Sequence, residues 1–239
     1  MEVAKQRWNC LAQVFIRITE FISRIKFIHE RRNIREAGEM IDIERIMKTE
    51  IPDIAPVYGG VRGRTMSSRH QSYAWPALKE AGIKTIIDLR EMDKSDRLPH
   101  LCQYHGLNYF HYPLDNHSRT IAQMVELFPQ FCEQIDEGDF YIACAMGLHR
   151  TDIALCTYWV FYAADKGIAP PPIRGYRQEE GHDTNKIMRI LNAFYKYKSE
   201  IEGKVPMSLE VFKERKKIIN ELSKVEKVCD YVQQRLYTR

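Results

Sequence analysis

No stretch of the 239 residues approaches the roughly 18 uncharged apolar positions that a membrane-spanning helix requires, so no transmembrane span is expected. The segment closest to one, residues 8–28, is interrupted by Arg17, Glu20, Arg24 and Lys26, which also spoils it as a signal-peptide core. The six cysteines, Cys10, Cys102, Cys132, Cys144, Cys156 and Cys229, form no CxxC pair and no regular framework. That pattern fits a reducing compartment better than a disulfide-stapled secreted scaffold, so all six are read as thiols and a cytoplasmic location is expected. A net charge of +4, with no basic run interleaved with aromatics, gives no support for nucleic-acid binding. The chain has neither a low-complexity linker nor an internal repeat.

What is present divides into three zones. In the first, Leu11, Val14, Phe15, Ile18, Phe21, Ile22, Ile25 and Ile28 recur at three- and four-residue steps, the period of one apolar helix face. Such a helix can pack on its own domain, on a second subunit or on a membrane surface, and the sequence leaves these open. A second short helix is expected through Ile41 to Met47, and the prolines of IPDIAP then break the helical pattern. From Val57 to about Lys166, short apolar runs alternate with helical periodicities, the mark of an α/β layer structure. KTIIDL, LNYFHYPL and FYIACA read as buried strands; SYAWPALKEAG, TIAQMVELFPQFCEQIDEG and TDIALCTYWVFYAADKG read as helices stopping near Gly82, Gly138 and Gly167. In the third zone, Pro170, Pro171 and Pro172 impose an extended loop. A helix capped by Asp183 or Thr184 follows, and then charged amphipathic helices that either cover the domain or meet a partner.

The expected organisation is an N-terminal helical extension over residues 1–51, a catalytic domain over 52–202 and C-terminal helices over 203–239. The expected fold class is α/β, a central, mostly parallel sheet of four to five strands flanked by helices.

Chemistry concentrates in YIACAMGLHRTD, residues 141–152. Taken alone, Cys144 is a small buried hydrophobe. Its context differs: a cysteine at the end of a buried strand, before a short glycine-containing loop and a long helix, occupies the place where α/β proteins bind anions. Backbone N–H groups from Ala145 to Arg150 would form a concave nest, and the same donors and helix dipole stabilise a thiolate. Arg150 can close a bidentate fork over phosphate oxygens, Gly147 permits a tight loop, and Thr151 can donate a hydroxyl hydrogen bond to the sulfur.

The run from Cys144 to Thr151 resembles the C-x5-R-[ST] phosphate loop of cysteine-dependent protein tyrosine and dual-specificity phosphatases. Upstream, HYPLDN places Asp115 after a strand, 29 residues before Cys144, similar to the general-acid loop of that family. VYGGVRG followed by ALKEAGIKTIIDLRE resembles the start of the compact atypical dual-specificity type. The resemblance covers about residues 54–166 and leaves both helical ends outside it. It implies a phosphatase-like fold and hydrolysis of phosphate monoesters through a phosphocysteine intermediate. Cys144, Arg150, Asp115 and Thr151 would be catalytic, and Ala145, Met146, Gly147, Leu148 and His149 would bind substrate. The implied substrate is a phosphorylated protein or a small phosphate ester, with phosphotyrosine, phosphoserine or phosphothreonine and inositol phosphates all open.

Two positions depart from the family pattern: Ala143 stands where histidine is usual before the cysteine, and Asp152 where glycine is usual after Arg-Thr. The Asp152 carboxylate would oppose thiolate and phosphate if it faced them, so it is expected to point away. The departures leave a weakly active pseudophosphatase, acting as a phosphate-binding interaction module, as the alternative. Sulfur or arsenate transfer would not require Asp115. Arg62, Arg64, Arg69, His117 and Arg119 are expected on loops, as solvated surface or as positive charge around the mouth, and Asp88 and Arg90 are expected to serve structure. His105, His111 and His117 recur at six-residue steps that fit no helical ligand pair, so neither a metal nor a cofactor is expected. Partner binding or self-association would fall to the terminal helices.

Overall fold

Phe140, Tyr141, Ile142, Ala143 and Cys144 are all buried and form the central strand of the sheet, as an unbroken apolar run covered on both faces should. In this computed structural model, residues 41–66, 71–91, 97–114, 120–174 and 185–237 are described. The amphipathic stripe of residues 8–28, the cap positions Asp183 and Thr184, and Asp115, Arg69, His117 and Arg119 lie outside them.

In chain order the elements are α1 (Ile43–Met47), β1 (Ala55–Val57), β2 (Gly60–Arg64), α2 (Gln71–Glu80), β3 (Thr85–Asp88), α3 (Leu98–Tyr104), β4 (Asn108–His111), α4 (Ile121–Glu137) and β5 (Phe140–Cys144). They continue with α5 (His149–Phe161), a 3₁₀ turn (Ala163–Lys166), α6 (Asn185–Glu202) and α7 (Leu209–Tyr237). The five strands lie in the order β1-β2-β5-β3-β4. All neighbours are parallel except the β1–β2 hairpin, so the mixed α/β sheet flanked by helices is the expected class. The hairpin turns through Tyr58 and Gly59, both with positive φ, the geometry that two-residue hairpins favour.

Alternation along each strand sorts the core into two layers. Phe140, Ile142 and Cys144 face a layer shared with α4, α5, α6 and the start of α7. Tyr141 and Ala143 face a second layer, with Ile46 of α1, Trp75 and Leu78 of α2, and Leu98 and Cys102 of α3. The first layer is rich in aromatics: Tyr112 lies flat on Phe131 at 4.2 Å and gives its hydroxyl hydrogen to the Met124 carbonyl at 3.1 Å. Phe212 of α7 inserts beside Phe161 and stacks on Tyr195 at 4.4 Å.

The parallel register brings the carboxyl ends of β2, β5 and β3 to one edge, where Arg64 pairs with Cys144 and Asp88 with Ala143. Open α/β sheets place their ligand crevices at this edge. No helix among the described residues is long and apolar enough to cross a membrane.

Candidate active site

Strand β5 ends on Cys144, and α5 begins five residues later at His149. In the turn between them, Gly147 donates its N–H to the Cys144 carbonyl at 3.1 Å, while Asp152 makes an early helical bond to the Leu148 carbonyl at 2.8 Å. Thr65, just past β2, gives a second N–H to the Cys144 carbonyl at 2.9 Å. The residue carrying the thiol is therefore held from two sides.

Gly147 has φ +70°, and a Cβ built on it would lie 2.3 Å from the Gly63 carbonyl carbon and 2.5 Å from the Arg64 nitrogen. The loop crosses the end of β2 at a distance that only glycine permits. Ala145 and Met146 are exposed at the rim, whereas Leu148 is buried and His149 and Arg150 are half-buried on the first turn of α5. That turn has no side-chain cap. Uncapped N–H groups and the helix dipole make such a position favourable for an anion.

Arg150 forms no ion pair with a carboxylate among the described residues, and Thr151 is wholly buried with its Oγ1 making no hydrogen bond to any of them. Buried hydroxyls normally find partners, so an acceptor within the loop would complete this one. The thiol of Cys144 is free and 3 % exposed. Tyr141, the third residue before it, gives its hydroxyl hydrogen to the Arg64 carbonyl at 2.6 Å. Burial, then the charge of Cys144 and of Asp53, holds the Tyr141 phenol protonated far above its usual range. Cys132 differs sharply as a thiol: burial, then the Asp136 carboxylate, pushes it up to about 12, which leaves it unreactive at neutral pH.

The Asp152 carboxylate turns away from the loop mouth, as its charge demanded. Its Oδ1 lies 2.7 Å from Nη1 of Arg62, both side chains are 0 % exposed, and its Oδ2 accepts the Arg174 N–H at 3.1 Å. Arg62 corrects the expectation of a loop cation near the mouth: it lies within β2 and is wholly buried. Its Nη2 donates to the carbonyls of Gly147 and Leu148 at 3.0 and 3.3 Å, and its Nη1 to that of Pro172 at 3.1 Å. One signal for this contact lay in the sequence. Asp152 stands at the head of the nearly all-apolar run 153–161 of α5, and a carboxylate buried there requires a cation. Arg64, also on β2, is about one-third exposed and lies 3.8 Å from Asp53.

Beside the loop, the buried Asp88 accepts the Arg90 backbone N–H at 3.0 Å, the Arg90 side chain through Nε at 2.9 Å and Nη2 at 2.8 Å, and the Tyr109 hydroxyl at 3.2 Å. His111 Nε2 lies 2.7 Å from the Arg90 carbonyl. This cluster ties the ends of β3 and β4 together. Leu89 N–H donates to the Ala143 carbonyl and Leu114 N–H to the Leu89 carbonyl. The chain is thus fastened, strand by strand, from the residue before Cys144 to the residue before Asp115.

Comparison with known proteins gives three results. Residues 60–164 match the family model described as "Polymorphic toxin system, DSP-PTPase phosphatase". Among solved structures, a DUF442 protein from Shewanella putrefaciens CN-32 is similar at 16 % identity over 64 % of this chain and 99 % of its own, with a TM-score of 0.45. TpbA of P. aeruginosa is similar at 10 % identity over 72 % of this chain and 86 % of its own, with a TM-score of 0.35. No curated protein matches the chain.

Proposed function

Since residues 60–164 form a phosphatase domain of the cysteine-dependent tyrosine and dual-specificity family, we propose that the chain hydrolyses phosphate monoesters with Cys144 as nucleophile. The observation that carries this reading is the placement of Cys144 at the end of β5, beneath a loop closed by Gly147, with Arg150 and Thr151 on the next helical turn.

In the first step the Cys144 thiolate attacks phosphorus. A sulfur–phosphorus bond forms as the ester oxygen–phosphorus bond breaks, and Asp115 supplies the proton that the leaving oxygen takes up. Loop N–H groups and the Arg150 guanidinium balance charge on the equatorial oxygens. In the second step water attacks the phosphocysteine and gives its proton to the Asp115 carboxylate. The sulfur leaves as thiolate with the Thr151 hydroxyl donating to it, and inorganic phosphate is released. The roles of Asp115 and Thr151 come from the family pattern; the free, buried Thr151 hydroxyl is consistent with its role.

The rim residues Ala145 and Met146 are neutral and exposed, and the loop carries no lysine. This favours a singly phosphorylated protein side chain over a highly charged inositol phosphate, whose extra phosphates would need further cations.

The test is turnover of an aryl phosphate from about pH 5 to 8 by the full chain, Cys144→Ser and Asp115→Asn. Rapid quenching and mass spectrometry would look for a phosphate adduct on Cys144. Loss of turnover in the first variant, a strong reduction in the second and an adduct on Cys144 are expected. A folded full chain that binds inorganic phosphate without turnover would replace the proposal with a phosphate-binding module.

A further inference from the structure

The chemistry above uses Cys144, Arg150, Thr151 and Asp115 but gives no work to the two charges buried behind the loop. Arg62 and Asp152 are 90 residues apart in sequence and both 0 % exposed at the side chain. Burying either charge alone would be prohibitive, so each requires the other. The guanidinium also has directional work. While Nη1 faces Asp152 Oδ1 and the Pro172 carbonyl, Nη2 reaches the carbonyls of both Gly147 and Leu148.

Resting on the phosphatase reading, we infer that Arg62 is a positioning residue for the anion loop and that Asp152 neutralises and aims it. A peptide plane has its carbonyl on one side and its N–H on the other. Drawing the Gly147 and Leu148 carbonyls back onto Arg62 keeps their negative ends out of the anion site. It leaves the following N–H groups, those of Leu148 and His149, facing the opposite way. Without that hold, a peptide plane next to a glycine is free to turn, and an inward carbonyl would repel phosphate. The loop is thereby preset before substrate arrives, the condition under which electrostatic stabilisation is most effective. The pair is neutral as a whole, so the cation behind the loop organises it without adding net charge.

Four variants separate positioning from bulk stability: Arg62→Lys, Arg62→Met, Asp152→Asn and the double variant Arg62→Met/Asp152→Asn. Two readouts that need no turnover are used, binding of inorganic phosphate and the pH dependence of Cys144 alkylation by iodoacetate, with near-UV circular dichroism checking the fold. Among the described residues, the other charged or titratable groups around Cys144 are Arg64 and Asp53, Tyr141, the Asp88–Arg90 pair, and His149 and Arg150. All are kept in every variant.

Asp152→Asn leaves a buried cation behind the loop, so the alkylation midpoint moves to lower pH; Arg62→Met leaves a buried anion, so it moves to higher pH, each by about half a unit or more. The double variant returns the midpoint towards the starting value but still binds phosphate about tenfold more weakly, because the Gly147 carbonyl has lost its guanidinium donor and the Leu148 carbonyl keeps only the Asp152 N–H. Arg62→Lys keeps the charge but not the fork. It should hold the midpoint while also weakening phosphate binding about tenfold, and it serves as the deciding variant if Arg62→Met does not fold.

Wild-type phosphate affinity in folded Arg62→Lys or in the folded double variant would overturn the inference, as would midpoints moving in the same direction in the two single changes. Because neither readout measures hydrolysis, a full chain without turnover but with these shifts would refute the phosphatase reading and leave the loop-positioning role standing.

Discussion

Gly147 and Gly167 share almost the same backbone conformation, with φ +70° and +68°, but not the same surroundings. Replacing either by alanine puts a Cβ into left-handed backbone, at about 1–2 kcal/mol. At Gly167 nothing lies within 4 Å of the added carbon, so that conformational cost is the whole expected effect. At Gly147 the carbon would meet the Gly63 carbonyl carbon at 2.3 Å and its oxygen at 2.4 Å, where carbon contacts settle near about 3.5–4.0 Å. The obstacle is the backbone of β2, paired to its neighbours on both sides, so it cannot yield as a side-chain end would. Overpacking costs about 1–3 kcal/mol, which brings Gly147→Ala to about 2–5 kcal/mol. The loop can relieve the clash only by lifting off β2, which carries Arg150 away from its position relative to Cys144. Urea unfolding of the two variants reads the difference, and inorganic phosphate binding reads the displacement. Gly147→Ala should lose phosphate binding while Gly167→Ala keeps it. If both lose the same stability within about 0.5 kcal/mol and both bind phosphate normally, the steric account of the loop is wrong.

Two further outcomes follow from the packing around the sheet. The Asp136 carboxylate accepts hydrogen bonds from Tyr158, Tyr162 and Lys166, each at 2.6 Å; burial pulls its pKa upward, but the three bonds and the lysine charge outweigh that and lower it. A lowered carboxylate pKa stabilises the fold fully above the unfolded value of about 3.9 and loses that contribution as pH falls through the folded value. The urea midpoint of the natural chain should therefore exceed that of Asp136→Asn at neutral pH, with the gap shrinking at about pH 3; a gap independent of pH would refute this. In α7, Phe212 is 4 % exposed and wedged against Phe161 and Tyr195. Phe212→Ala should cost about 3–5 kcal/mol in thermal or urea unfolding, while Leu209→Ala, at a site 48 % exposed, should cost under about 0.5 kcal/mol; equal losses would mean that α7 does not dock through this aromatic.

Features written in local pattern were legible from the chain. KTIIDL and FYIACA are apolar because sheet strands covered on both faces need no polar side, and they became β3 and β5. The cysteine loop was visible because strand, glycine and helix follow one another without interruption. The short helix α3, LPHLCQY, was missed because seven residues are too few to establish a periodicity. The β1–β2 turn was missed because Tyr58, a bulky residue, occupies a positive-φ position that normally signals itself as asparagine, aspartate or glycine. Arg62 reads as an ordinary loop charge, since nothing near it in sequence announces Asp152. A buried ion pair is a long-range relation, and only an acid heading the apolar run of α5 hinted at one.

The segment from Ile168 to Arg174 changes where the working unit must be cut. The family match stops at residue 164, yet the Ala169 carbonyl receives Tyr58, the Ile168 carbonyl receives Trp159, and Arg174 donates both to Asp152 and to the Ile54 carbonyl. These proline-rich residues form a back wall that keeps water from the charges behind the loop. A fragment trimmed to the matched boundary would open that wall and let solvent compete for the guanidinium, although every residue of the cysteine loop would still be present. The smallest part that carries the site's physics is therefore longer than the part that carries its sequence signature.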